Sequence, residues 1–304
     1  MSTPQPGIFV EGTTAHHHLE LALTQAADDG TVRVAIGALL DAAESAVAGD
    51  GVHVVIGFGP ALWQRLAPRA APPQLRPFAA VGTPARGAPT TQRDMWVWVH
   101  GAAAGVVLDA ARSAARCVAP IASVALEQPG WTYRDLRDLT GFEDGTENPA
   151  RDEAPGAALL PDGEPGAAGT YAITMRWIHD LAAWEKLPVA EQESIIGRTK
   201  ADSVELDDAV RPDTAHVSRV VVEEGGEELE IYRRSVPYGT VAENGLYFVA
   251  FSADPHRFDR MLARMYGVED GIRDRLTEFT RPVSGSAWFA PSLEDLAEAA
   301  GGGR

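Results

Sequence analysis

The sequence predicts an α+β fold of two ferredoxin-like halves, each an antiparallel β-sheet with helices packed on it, arranged like a dimeric α/β barrel. Three observations predict it. Apolar runs of strand length alternate with alanine-rich or amphipathic stretches of helix length along the 304 residues. The pattern of Asp94 to Arg112 (apolar strand, short polar break, helix) returns at Gly245 to Arg264, as two copies of a β-α-β-β-α-β unit would produce. Between them, residues 141–169 are crowded with Gly, Pro, Asp and Glu and read as a linker. The expected organisation is an N-terminal half over 1–140, the linker over 141–169 and a C-terminal half over 170–304.

Each element has its own signal. Gly7 to Val10 leads into an apolar run at Leu19 to Leu23, and the alanine-rich stretch Val34 to Val47 is helical. Val52 to Gly59 is a buried strand, and Pro60, suited to a first helical turn, opens a short helix to Leu66. Residues 67–90, rich in Pro, Ala and Gly, form a long surface loop. Asp94 to His100 is a strand broken by Gly101; Ala102 to Cys117 is a helix and Val124 to Gln128 a further strand. In the second half, Thr170 to His179 is a strand running into a helix at Asp180. Pro188 to Gly197 is a short helix with an acidic first turn, which suits the helix dipole. His216 to Val222 and Leu229 to Arg234 read as strands flanking the turn Glu224-Gly225-Gly226-Glu227. Gly245 to Phe251 is a strand and Pro255 to Met265 a helix.

The net charge of -17 repels nucleic acid phosphates and anionic lipid, so neither is expected as a partner. No apolar run approaches the ~20 residues a membrane span needs. Met1 to Gly7 has neither a basic nor an apolar signal region, so a cytoplasmic location is expected. The single cysteine, Cys117, follows a helical pattern and reads as a buried structural thiol. No Cys-x-x-Cys-His occurs, so a haem would be held without thioether links.

Gly141-Phe142-Glu143-Asp144-Gly145-Thr146-Glu147-Asn148-Pro149 is by itself a polar turn, with Gly145 free to take a positive φ. The run nevertheless resembles the signature of dye-decolourising peroxidases, type B in particular. The resemblance extends through Ile196-Gly197-Arg198-Thr199-Lys200, Ala215-His216-Val217-Ser218-Arg219, Tyr232-Arg233-Arg234-Ser235 and Pro282-Val283-Ser284-Gly285-Ser286, and covers residues 131 to about 291. It implies a haem b peroxidase that reduces hydrogen peroxide and oxidises small aromatic reductants, phenols or dyes, by one-electron steps through a ferryl intermediate. The alternative is a haem carrier or iron-releasing protein using the same pocket with little turnover. The resemblance also implies a homo-oligomer. The chain ends soon after the family-like region, so packaging as encapsulin cargo is not expected.

The same resemblance assigns the site. His216 is the axial ligand of the haem iron, which a peroxidase commonly takes from histidine. Asp144 is the distal proton shuttle. Arg233, always charged, stabilises the developing oxyanion and is expected to lower the pKa of Asp144. Gly145, Thr146, Glu147 and Ser235 accompany them around the cofactor; some type-B members carry asparagine in place of Ser235. Arg234, on the opposite face of a strand from Arg233, is expected to stay out of the pocket. Asp274 is the candidate partner for the second ring nitrogen of His216. His179 is placed to face a haem propionate. Arg198 and Lys200 are placed to pair with propionates, or else form surface salt bridges. Of the other histidines, His16, His17 and His18 read as a partly exposed strand edge and cannot all point one way. His53 and His100 read as core residues and His256 as a helix-start residue.

Overall fold

The structure, a computed structural model, describes residues 2–301. The N-terminal half runs β1 (Ala15–Leu23), α1 (Asp29–Asp50), β2 (His53–Phe58), α2 (Pro60–Leu66), β3 (Val81–Thr83), β4 (Arg86–Ala88), β5 (Met95–Gly101), α3 (Ala104–Val118) and β6 (Ala122–Trp131). Helix α4 (Ala154–Ala158) interrupts the linker region. There follow β7 (Thr170–His179), α5 (Leu181–Trp184), α6 (Val189–Ile196), α7 (His216–Val220), β8 (Glu223–Glu224), β9 (Glu227–Glu228), β10 (Tyr232–Arg233), β11 (Val236–Gly239), β12 (Asn244–Ser252), α8 (His256–Met265), β13 (Thr280–Pro282), β14 (Ser286–Ala290) and α9 (Leu293–Ala299).

The α+β class and the antiparallel, ferredoxin-like strand order hold, but the barrel does not. The strands form one ten-stranded sheet with the path β10-β12-β7-β14-β2-β5-β1-β6, with β11 on β12 and β13 on β7. Four strands of each half keep the same relative order, and the halves are welded where Phe289 of β14 pairs with Phe58 of β2. The path is open: β6 has no ladder to β10 or β11. Those edges only approach, and a Cβ added at Gly130 would lie 2.6 Å from Val236. A barrel needs continuous hydrogen bonding around its circumference, and side-chain contact does not supply it.

Local chemistry explains most boundaries. Asp28 caps α1 by accepting from the Thr31 N–H, and Gly51 ends the helix in the left-handed conformation (φ 63°). Gly225 and Gly226, with φ of 65° and 88°, make the β8–β9 turn. The strand expected before that turn is instead helix α7, which starts at His216. An alternating apolar run of five residues fits one helical turn as well as a strand. The loop over 67–90 carries the small hairpin β3–β4. Cys117 is half-buried, its thiol 3.5 Å from the Ala38 carbonyl, rather than fully buried.

The triple histidine is corrected more sharply. His16, His17 and His18 lie inside β1, which is an interior strand paired with both β5 and β6, and all three are buried. His16 and His18 join Trp96, Trp98, His100 and Tyr247 in a stack on one face. His17 points the other way and bonds Glu127 at 2.7 Å. Two residues on from His18, buried Glu20 accepts from Tyr247 (2.8 Å), Thr174 (3.0 Å) and Ser286 (3.2 Å). Arg234 lies over Trp98 and donates to the Ile8 and Val10 carbonyls, so it does leave Arg233 alone on the opposite face.

Burial, aided by the Arg234 charge, brings the pKa of His16 down to about 4 and that of His100 to about 2. An unfolded histidine titrates near 6.5, so below that pH the unfolded chain binds more protons than the native one. The stability these residues contribute is therefore complete above pH 6.5 and is lost as pH falls toward 4. Glu20, whose pKa burial raises, acts in the opposite sense. We predict that the unfolding free energy from urea titrations between pH 7 and 4.5 falls less in His16→Gln than in wild type. The difference should be on the order of 2 kcal/mol; parallel pH profiles would refute it.

Candidate active site

A cavity of about 1400 Å³, counting its open mouth, lies between the C-terminal half of the sheet and helices α7 and α8. Its walls are apolar: Ile173, Met175 and Trp177 from β7, Leu246 and Phe248 from β12, and Phe258, Met261, Leu262 and Met265 from α8. Alternation on the strands and helical spacing on α8 set these residues on one surface. Polar groups enter at the margins, which is the composition of a site for a large, flat, mostly apolar ligand.

His216 is the first residue of α7 and lines the cavity. Its Nδ1 donates to Asp274 Oδ2 at 2.6 Å. Asp274 is fully buried, and its other oxygen accepts from the Leu276 N–H at 2.8 Å. A carboxylate only accepts, so this bond puts the imidazole proton on Nδ1 and leaves Nε2 as the free lone pair. Nε2 has no hydrogen-bond partner among the described residues. Asp274 thus partners the second ring nitrogen of His216, as expected.

Asp144, Gly145, Thr146 and Glu147 line the cavity from the loop that begins the linker. Gly145 takes the positive φ its position requires (85°). Asn148 then binds the main chain of Arg233 as a strand would, accepting from its N–H at 2.9 Å and donating to its carbonyl at 2.9 Å. This clamp brings Asp144 and Arg233 to one cavity. The Arg233 Nη2 is buried and has no partner among the described residues. An unpaired buried guanidinium N–H is costly and calls for an anion or a polar oxygen. Burial raises the pKa of Asp144, and the attraction of Arg233 only partly offsets it. Arg233 does pull this carboxyl down, as expected, but the net shift is upward because desolvation of the charge is the larger effect.

The remaining expected residues divide. Arg198 lines the cavity but is already paired with Glu147 and with Glu205, the latter at 3.0 Å. Lys200 stands outside, with Nζ on Gln192 at 2.6 Å and over the Phe142 ring. Ser235 is not part of the lining; its hydroxyl accepts from the Val249 N–H at 3.3 Å. His179 lines the cavity, but its ring nitrogens meet Asp138 (3.1 Å) and Thr280 (2.7 Å). Asp138, Thr140 and Asn148 carry structure around the site that motif reading did not single out. The nearest signal for them was the Asn-Pro pair that ends the glycine-rich run.

Comparison with known proteins agrees with this architecture. The family model described as Dyp-type peroxidase, N-terminal, matches residues 5–132, and Dyp-type peroxidase, C-terminal, matches residues 135–295. A dye-decolorizing peroxidase of Rhodococcus erythropolis is 36% identical over 255 residues, covering 82% of this chain and 75% of that protein. The dye-decolorizing protein of V. cholerae superposes with a TM-score of 0.89 at 36% identity, over 97% of this chain and 99% of that one. A DypB variant of Rhodococcus jostii RHA1, solved in complex with haem, gives a TM-score of 0.90 at 33% identity over 96% and 97% of the two chains. Matched along nearly its whole length in both sequence and fold, the chain belongs to the Dyp-type peroxidase family.

Proposed function

We propose that the chain is a haem b peroxidase that reduces hydrogen peroxide and oxidises phenolic or dye-type donors in one-electron steps. One observation carries the reading. A single apolar cavity gathers an imidazole with a free Nε2, a carboxylate and an arginine with an unpaired buried N–H. These residues fit haem: the apolar walls suit a macrocycle, Nε2 suits its iron, and the orphan guanidinium suits an oxygen ligand. Bound haem supplies an iron centre that takes two oxidising equivalents from peroxide and passes them on singly.

The chain's own residues do the rest. His216 Nε2 holds the iron, and Asp274 fixes the ring's tautomer and orientation and raises its basicity. Ionised Asp144 accepts a proton from one peroxide oxygen and returns it to the other, which departs as water. Arg233 Nη2 stabilises the negative charge that develops on the departing oxygen. Because burial raises the Asp144 pKa, the reaction slows as pH falls through a value above that of an ordinary aspartate. Gly145, Thr146, Glu147, Arg198 and His179 border the cofactor in this reading, whereas Lys200 and Ser235 do not reach it. The cytoplasm and a homo-oligomeric assembly complete the proposal, to be checked by cell fractionation and light scattering.

Stopped-flow mixing of haem-loaded protein with one equivalent of peroxide tests the function. Rapid change of the Soret band, reversed by a phenol, supports a peroxidase; an inert or merely bleaching spectrum supports a haem carrier instead. We expect Asp144→Ala to slow the peroxide reaction by about 10²–10⁴-fold and Arg233→Leu by about 10²–10³-fold. Wild-type rates in either would remove that residue from the mechanism. His216→Ala should lose most of its haem, and Asp274→Asn should weaken haem retention by about 10–100-fold. Transfer of haem to apomyoglobin measures both, and unchanged retention in His216→Ala would refute the ligand assignment.

A further inference from the structure

The mechanism uses Asp144 and leaves a second carboxylate in the same cavity, Asp138, without a role. The two stand on opposite arms of one hairpin. The Asp138 N–H donates to the Phe142 carbonyl (2.8 Å), the Asp144 N–H donates to the Leu136 carbonyl (2.9 Å), and Arg137 bridges to Glu143. Arg137 ties this hairpin to the Lys200 and Ala201 carbonyls at 2.8 and 3.0 Å. Trp184 Nε1 donates to the Thr140 carbonyl at 3.0 Å.

The Asp138 carboxylate makes the tie to the sheet. One oxygen accepts from the Thr140 N–H (3.0 Å) and hydroxyl (2.7 Å), and the other meets His179 Nε2 at the end of β7 (3.1 Å). His179 Nδ1 is in turn held by Thr280 of β13 at 2.7 Å. With both ring nitrogens engaged, His179 serves as a strut; a haem carboxylate could take one of them only by displacing Asp138 or Thr280. Burial opposes ionisation of Asp138, but His179 and Thr140 together outweigh it and bring its pKa down to about 2. A fixed negative charge therefore stands beside Asp144.

We propose that Asp138 is a positioning residue for Asp144: its bonds to His179 and Thr140 fix the hairpin that carries Asp144, and it presents a second carboxylate to the same cavity. The groups that act most on Asp144 are Arg233 from β10, His216 from α7 and Asp138 on its own hairpin, with the Gly145 N–H as a further donor; Glu143, Glu147, His179, Arg198, Glu228 and Glu230 also line the cavity. Arg233 and Asp138 act in opposite directions, so the pair sets the pH below which the shuttle fails. This inference rests on Asp144 being the proton shuttle.

The test is the pH profile of the second-order peroxide reaction in haem-loaded wild type, Asp144→Asn, Asp138→Asn and Thr140→Val. Cyanide affinity is measured alongside as a readout without turnover, because hydrogen cyanide must give up its proton on binding. Asp138→Asn should lower the plateau rate and move the acid limb to lower pH in both measurements. At a pH on the wild-type limb, its rate relative to its own plateau should rise about threefold or more. Thr140→Val keeps the charge and loses one bond, so its plateau should fall with the limb unmoved. That variant decides the positioning role should Asp138→Asn not fold. If Asp144→Asn keeps the wild-type rate and limb, the shuttle assignment itself fails. If Asp144→Asn loses the limb while Asp138→Asn and Thr140→Val match wild type in plateau and limb, only the role of Asp138 is overturned.

Discussion

Asn148 meets the backbone of Arg233 as a neighbouring strand would, through one donated and one accepted bond of 2.9 Å each. The two residues are 85 positions apart, and the hairpin that leads to Asn148 has only one bridge of its own, between Arg137 and Glu143. The hairpin that carries Asp144 is tied to Lys200, Ala201 and Trp184, and Arg233 to β12; the clamp joins these two units directly. With it, both face one cavity. Asparagine suits the position because its amide carries a donor and an acceptor in one plane, as a peptide group does. Aspartate could accept from the Arg233 N–H but would have nothing to offer its carbonyl. Pro149 follows directly and restrains Asn148 to extended backbone.

The cavity's chemistry follows from opposed electrostatic demands. Desolvation favours a neutral Asp144, and Arg233 favours its anion. In the proposed role Asp144 has to lie between those limits, since a carboxyl too acidic takes no proton and one too basic gives none back. On the helical side the problem is solved differently. Asp274 is as buried as a side chain can be, yet it is bonded to His216 and to the Leu276 N–H. Its charge fixes which nitrogen of His216 is free.

Much of this was legible in the sequence because the signals were local. Pro60 and the paired glycines at 225 and 226 mark boundaries by backbone preference alone. Asp144, His216 and Arg233 were singled out through a motif, and all three line one cavity. What was not legible depends on long-range pairing. Nothing in Ala15 to Leu23 states that both β5 and β6 flank it, so three buried histidines looked like an exposed edge. Barrel closure depends on whether β6 finds hydrogen-bond partners on β11, which no periodicity encodes. The helix at His216 escaped because a single turn is too short for periods of 2 and 3.6 to separate. The net pKa shift of Asp144 was missed because a motif names neighbours and says nothing about the depth of burial.

The central strands connect these levels. On β7, Ile173, Met175 and Trp177 face the cavity, while Thr174 faces the other way and bonds Glu20. On β12, Leu246 and Phe248 face the cavity, while Tyr247 between them bonds Glu20 from the opposite face. The register that pairs Tyr247 with Arg176 and Phe248 with Met175 therefore serves two interiors at once. A slip of one residue would put Tyr247 into an apolar cavity and a leucine or phenylalanine against the buried Glu20. Each error would leave a polar group without a partner, at about 1–3 kcal/mol per group. The polar cluster around Glu20, remote from the chemistry in sequence, thus helps hold the cavity wall in register. Gly245 allows the close packing of these two strands: a Cβ there would lie 1.9 Å from the Trp177 carbonyl oxygen, so β12 can approach β7 at the cavity's end only with glycine in that place.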